Sequence, residues 1–318
     1  MTKRIIFLFI PLLGLFLSCA KKNSDSIRIG ILNGPTYVSF LYMIENPPVV
    51  DGKRIEFVVK SDPQQIQALM MSGDLDLAVL PTVMAANLYN KGLEYRMVAC
   101  PVWGTLYLLS NNTKVNQISD LINEKVYVFG QGATPDVLLS RFLTLNNIHN
   151  VAMDYSYTNN VDLATAMLSR NEMNALVSEP LVSMLLHRDS SIHIVSKLDC
   201  EDFFYNSDKD IFVQTAFLVH SDFSSNYPAT LRTLCEAYSA SCNSVNSDTL
   251  KTASLMLKYG IVNDESIALK SIPLCNIRYV ASFAIDREVD KYLRIFFEAN
   301  PESVGGKLPD RNFIHQLQ

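Results

Sequence analysis

The sequence has no block of basic residues: 27 Lys and Arg stand against 32 Asp and Glu, a net charge of −5. Nucleic-acid recognition needs a basic stripe or face, so that class is set aside. Histidine is sparse. The five present (His149, His187, His193, His220 and His315) fall in no metal-ligand spacing and beside no Ser, Cys or Asp in a nucleophile motif. There is no Gly-x-Ser-x-Gly elbow. Gly130-Gln131-Gly132 lacks the third glycine of a dinucleotide fingerprint, and no Lys-Ser/Thr pair follows it as a P-loop requires. Asp74 and Asp76, two apart between a glycine and an apolar run, read as a turn rather than an acid–base pair. No catalytic residue, metal or cofactor is therefore expected. Long apolar runs are also missing. The stretch Ile5 to Ser18 has 14 residues, where a membrane-spanning helix needs about 20.

That stretch is instead a targeting signal. Lys3 and Arg4 supply its positive end, and the run closes at Leu17-Ser18-Cys19-Ala20 before a polar Lys21-Lys22-Asn23-Ser24. A small residue followed by Cys at the end of such a run resembles a bacterial lipobox, with Phe16 where Leu is commoner. The resemblance implies removal of residues 1–18, lipidation of Cys19 and a tether over 19–26. A plain secretory signal with an incidental Cys is the competing reading, and either one exports the chain. Loss of Lys3 and Arg4 leaves 25 basic against 32 acidic residues, a mature charge of −7. Five cysteines remain, so one at least stays unpaired. Cys235 and Cys242 lie two helical turns apart, about 10–11 Å, beyond disulfide reach. Most of the five are read as small buried residues.

The body alternates strand and helix. Strands are expected at Ile27–Ile31, Arg54–Val59, Leu77–Leu80, Tyr95–Ala99 and Gly104–Ser110, with helices at Thr36–Glu45, Pro63–Ser72 and Thr82–Asn90 among them. A second series follows, with strands at Lys125–Phe129, Met153–Tyr157, Ala175–Ser178 and Ile192–Ser196 and helices at Pro135–Leu145, Val161–Ser169 and Pro180–His187. After an extended run, Phe212–His220, the remainder reads as mostly helical: Tyr227–Asn246, Asp248–Tyr259, Asp264–Lys270 and Arg287–Asn300. This rhythm predicts an α/β protein with largely parallel sheets. Two lobes are expected, the first from 27–110 plus 215–318 and the second from 111–214, with crossovers near Ser110 and Val213.

Four strand-to-helix junctions share one chemistry: Gly34-Pro35-Thr36, Leu80-Pro81-Thr82, Gly132-Ala133-Thr134-Pro135 and Ser178-Glu179-Pro180. Each pairs a Ser or Thr in capping range with a Pro near the first helical turn. Open α/β sheets bind ligands beyond the carboxyl ends of their strands, where helix starts offer N–H groups and positive dipole ends. Plain capping accounts for any one junction; four across two lobes suit a small polar or anionic ligand. Glu179 works against a bare anion, and would suit an amine or a cationic ring.

Six segments carry a resemblance: RIGILNGPT (28–36), GDLDLAVLPT (73–82), KVYVFGQGATPDVLL (125–139), ALVSEPL (175–181), IPLCNIR (272–278) and SVGGKLPDRNF (303–313). In order and spacing they resemble the substrate-binding proteins of the sulfonate, nitrate, taurine and thiamine-precursor uptake group. The resemblance implies a type II periplasmic-binding fold, two α/β lobes joined by two crossovers with a ligand cleft between them. It implies a monomer, anchored in the cell envelope, that delivers a small molecule to an ABC permease. Gly34, Pro35, Thr36, Pro81 and Thr82 would line the cleft from the first lobe, and Gln131, Gly132, Ala133, Thr134 and Glu179 from the second. Trp103, Gly104, Thr105 and Gln214 would form its hinge or rim. Two other readings stand beside this one. One is an enzyme on the same fold acting on a pyrimidine or a chorismate-derived acid; the other is a tethered solute sensor.

Overall fold

The computed structural model describes residues 25–198 and 212–316. The tether and Cys19, apart from Asp25 and Ser26, lie outside the described residues, as does Cys200. In chain order the elements are β1 (Ser26–Leu32), α1 (Pro35–Glu45), β2 (Arg54–Lys60), α2 (Pro63–Met71), β3 (Leu77–Pro81), α3 (Thr82–Asn90), β4 (Tyr95–Val102) and β5 (Leu106–Ser110). There follow β6 (Lys125–Tyr127), α4 (Thr134–Leu145), β7 (Ala152–Asp154), α5 (Asn160–Ser169), β8 (Asn174–Ser178), α6 (Leu181–Arg188) and β9 (His193–Leu198). The last part holds β10 (Thr215–His220), α7 (Ser221–Asn226), α8 (Pro228–Ser247), α9 (Thr249–Lys258), α10 (Glu265–Leu274), β11 (Ile277–Ala281) and α11 (Asp286–Ala299).

These strands form two sheets, ordered β11-β4-β10-β3-β1-β2 and β7-β6-β8-β5-β9. The sheets repeat one plan. In each, three parallel strands (β2-β1-β3 and β7-β6-β8) are followed by an antiparallel one (β10 and β5) and then another antiparallel to that (β4 and β9). The fold is the two-lobed α/β architecture expected, with an antiparallel strand inside each sheet.

Three expectations need correction. Leu106–Ser110 does not belong with the first lobe: it pairs with β8 from Leu106↔Ser178 to Ser110↔Asn174 and with β9 on its other side. The first crossover is therefore Trp103–Thr105, not the neighbourhood of Ser110. Within the mostly helical C-terminal part, Ile277–Ala281, for which no element was expected, adds an edge strand beside β4. Finally, α10 runs on past Lys270 through Pro273 to Leu274. A proline removes one backbone donor, and here it falls in the last turn, where Cys275 N–H closes the helix on Ser271 O and Ile272 O.

Both faces of the first sheet are apolar, so its strands read as continuous hydrophobic runs. Ile27, Ile29, Ile31, Leu77, Val79, Phe217 and Val219 face α1, α8 and α9, whereas Ala78, Leu80, Ala216 and Leu218 face α2, α3 and α11. Gly30 leaves room on the second face, where a Cβ would stand 2.6 Å from Leu75 Cδ1 and 3.2 Å from Ile66 Cδ1 on α2. On the first face Phe40 stacks on Tyr238 with ring centroids 3.7 Å apart, which fixes α1 against α8. Cys100, Cys235, Cys242 and Cys275 are buried free thiols. No helix among the described residues is long and apolar enough to cross a membrane, and no metal-binding group of side chains occurs among them.

Candidate functional site

The junctions that the sequence singles out lie at the carboxyl ends of parallel strands, and the two sheets meet there. Gly34 ends the turn after β1 with φ 104°, a backbone region that favours glycine, and its Cβ direction points at Glu179 O, 3.9 Å away in the other lobe. Glu179 N–H donates to Thr105 O at 3.3 Å, and the Thr105 and Ser178 hydroxyls are 3.0 Å apart. Gln214 ties this cluster to the first lobe. Its backbone O accepts from Thr82 N–H at 3.1 Å, its side-chain Oε1 accepts from Thr105 N–H at 2.8 Å, and its Nε2 donates to Thr105 Oγ1 at 3.0 Å. Gly34, Thr82, Thr105, Glu179 and Gln214 thus converge where both crossovers pass.

The N-cap residue makes no side-chain cap bond at any of the four junctions (Gly34, Pro81, Ala133 and Pro180 before α1, α3, α4 and α6), although at the fourth the preceding Glu179 carboxylate accepts from Ser183 N–H in the first turn of α6. Elsewhere Asp62, Asn159, His220, Asp248 and Asp264 do cap α2, α5, α7, α9 and α10 with their side chains. Thr82, at the start of α3, is fully buried and its hydroxyl has no hydrogen-bond partner. A buried polar group without a partner costs about 1–3 kcal/mol, so it calls for an explanation.

Glu179 is the other costly group. It is 1% exposed. Its carboxylate accepts from Ser183 Oγ at 3.0 Å and Ser183 N–H at 3.3 Å, the first turn of α6. Burial pushes its pKa up to about 7, with the two Ser183 bonds pulling the other way. No Lys or Arg pairs with it among the described residues. Asn160, which sequence reading missed, holds the end of β8: its Nδ2 donates to Ser178 O at 3.2 Å and its Oδ1 accepts from Ser178 N–H at 3.1 Å. Ser183 was missed as well. Neither carries a sequence signal beyond its polarity, because both act only through neighbours brought close by folding.

Other expected residues are placed differently. Trp103 is 2% exposed: its Nε1–H donates to Arg278 O at 2.8 Å and the Arg278 guanidinium lies 4.4 Å from its ring centroid. It is a packed residue of the first crossover. Gly104 stands where a Cβ would meet Phe212 at 3.1 Å. Pro35 and Pro81 shape the starts of α1 and α3, and Thr36 is buried beside them. Gln131, Gly132 and Ala133 are exposed, with Thr134 half-buried behind them. Their turn closes locally, Ala133 N–H on Gly130 O at 2.9 Å, and Gly132 N–H donates to Asp136 at 2.8 Å. Farther out the lobes touch again, where His187 Nδ1 on α6 is 3.4 Å from Ser266 Oγ on α10 and Tyr107 OH donates to Leu274 O at 3.4 Å.

Two repeated lobes, two crossovers and polar groups buried between them define a two-lobed solute-binding fold. Solved structures agree. The chain is 31% identical to an ABC transporter protein from Parabacteroides distasonis, over 93% of this chain and 100% of that one, with a TM-score of 0.81. It also resembles the periplasmic aliphatic sulphonate binding protein SsuA from Escherichia coli, at 16% identity over 92% and 93% of the two chains with a TM-score of 0.74. The periplasmic nitrate-binding protein NrtA from Synechocystis PCC 6803 matches at 10% identity over 89% and 84%, TM-score 0.63. No protein-family model matches the chain, and no curated protein matches it. This chain belongs to the ABC-transporter substrate-binding proteins and is the solute-binding component of such a system.

Proposed function

We propose that the chain works outside the cytoplasmic membrane as a monomer, anchored through lipid on Cys19. It captures a small polar organic molecule, of sulfonate, nitrate/taurine or thiamine-precursor type, between its lobes. It releases that molecule unchanged to a permease. Two acyl chains anchor a protein stably where one does not. The observation that carries this reading is the pair of buried, under-partnered polar groups, Thr82 from the first lobe and Glu179 from the second, each hydrogen-bonded through its backbone to a crossover residue, Gln214 and Thr105 respectively. Gly34, Pro35, Thr36, Pro81, Gln131, Gly132, Ala133 and Thr134 complete the edges of the two lobes that a closing ligand would span. A ligand supplies the contacts that favour the closed arrangement. The named neighbours support solute binding as a class: one binds aliphatic sulphonates and another nitrate.

Native mass spectrometry of the soluble body from Ala20 tests the binding reading. A stoichiometric small-molecule adduct, lost on denaturation, is expected; turnover of the released molecule would sink it. For the anchor, Cys19→Ser is expected to move the protein from the membrane to the soluble fraction. Retention on the membrane would refute lipidation at that residue.

A further inference from the structure

The unpaired carboxylate narrows the class of solute. A carboxylate has about four lone-pair sites, and Glu179 uses them only on the N–H and hydroxyl of Ser183. The groups around it are neutral donors and acceptors: Thr105 in the first crossover, Ser178 at the end of β8, Ser183 on α6, and on the α10 side Cys275, whose thiol Glu179 helps to push up. The nearby cations are occupied elsewhere, Arg278 over Trp103 and Lys197 over the Tyr107 ring at 5.9 Å. Buried charges in proteins are normally paired. Across the lobe boundary Thr82 Oγ1 is fully buried and unpartnered. A bare oxyanion between these groups would face a carboxylate with no compensating cation among the described residues.

We propose that Glu179 receives a protonated amine of the solute, with Thr82 Oγ1 as a second polar contact from the facing lobe, so that the solute is an amine-bearing polar molecule rather than a simple anion. This rests on the solute-binding reading and deepens it. The rival chemistry is a protonated Glu179 donating to an anion. The two differ in sign: an amine binds better as Glu179 ionises, an anion better as it takes up a proton.

The test uses matched probes on the mature chain carrying Cys19→Ser: 2-aminoethanesulfonate against ethanesulfonate, 3-aminopropanoate against propanoate, and nitrate, each titrated calorimetrically at pH 6 and pH 8. The aminated member of each pair is expected to bind at least tenfold tighter at pH 8, and to lose about tenfold by pH 6, where one proton on a group titrating near 7 competes with it. Glu179→Gln is expected to abolish both the preference and the pH dependence. Thr82→Val is expected to weaken binding but keep the pH dependence. Equal or tighter binding of ethanesulfonate, propanoate or nitrate, or affinity that rises toward pH 6, overturns the proposal. A thermal melt provides a readout without solute. If the carboxylate is held uncompensated for a ligand, Glu179→Gln melts higher than the parent at pH 8, and the gap closes toward pH 5. A variant that melts lower at every pH shows a purely structural Glu179 and overturns the proposal too. Failure of every probe and of a broad solute panel, with the melting pattern intact, counts against the solute-binding reading itself and removes the ground of this one.

Discussion

Glu179 shows how one residue couples stability to pH. Its folded pKa is raised to about 7 by burial, above the ordinary carboxyl value of 4.5. A raised acid binds its proton more tightly in the folded state. Its contribution is therefore fully present below about pH 4.5 and is lost as pH rises through 7. The shift corresponds to on the order of 3 kcal/mol between those limits. In urea titrations without solute, the parent chain should lose stability relative to Glu179→Gln between pH 5 and pH 8. A parallel pair of pH profiles would refute the raised pKa. The sequence shows a Glu before a Pro at a helix start, which points to the site. It does not show that the carboxyl is buried, since that depends on β5, α6 and α10 closing around it. Thr82 was legible in the same way: the helix start is written locally, whereas its missing partner is a property of the packed interior.

The elements that position the site are mostly local products. Alternating apolar strands, prolines at helix starts and glycines at helix ends read correctly over β1 to β4 and β6 to β8 because short-range sterics and burial patterns specify them. The misreadings concern partners. Leu106–Ser110 is a strand as expected, but its apolar run is equally suited to either sheet; only the pairing with Ala175–Ser178 assigns it. Ile277–Ala281 is short and partly exposed at an edge, so its pattern is weak until β4 lies beside it. Helix α1, which carries Thr36, is held from a distance as well: Tyr238 OH on α8 donates to Ser39 Oγ at 2.8 Å, and Ser39 Oγ in turn donates to Thr36 O. Tyr238→Phe leaves that buried hydroxyl short of a donor and should cost about 1 kcal/mol in chemical denaturation. A variant as stable as the parent would show that the ring stack alone fixes α1.

Closure belongs to the whole molecule. The lobes are joined at the crossovers by the Thr105–Gln214 hydrogen bonds and, farther out, by the His187–Ser266 contact between α6 and α10. Replacing His187 and Ser266 together by Ala should loosen the outer contact and spare the hinge. Small-angle scattering is then expected to give a larger radius of gyration without solute; an unchanged radius would leave the hold to the crossovers and the Tyr107–Leu274 contact. By itself the sequence determined the two-lobed α/β class and the helix starts at which a ligand is sought. Each follows from backbone sterics and hydrophobic periodicity acting over a few residues. Only the tertiary structure decided which sheet owns β5, where the first crossover lies, and that Thr82 and Glu179 share a desolvated boundary. Strand pairing and burial are relations between segments far apart in the chain, and no local pattern carries them.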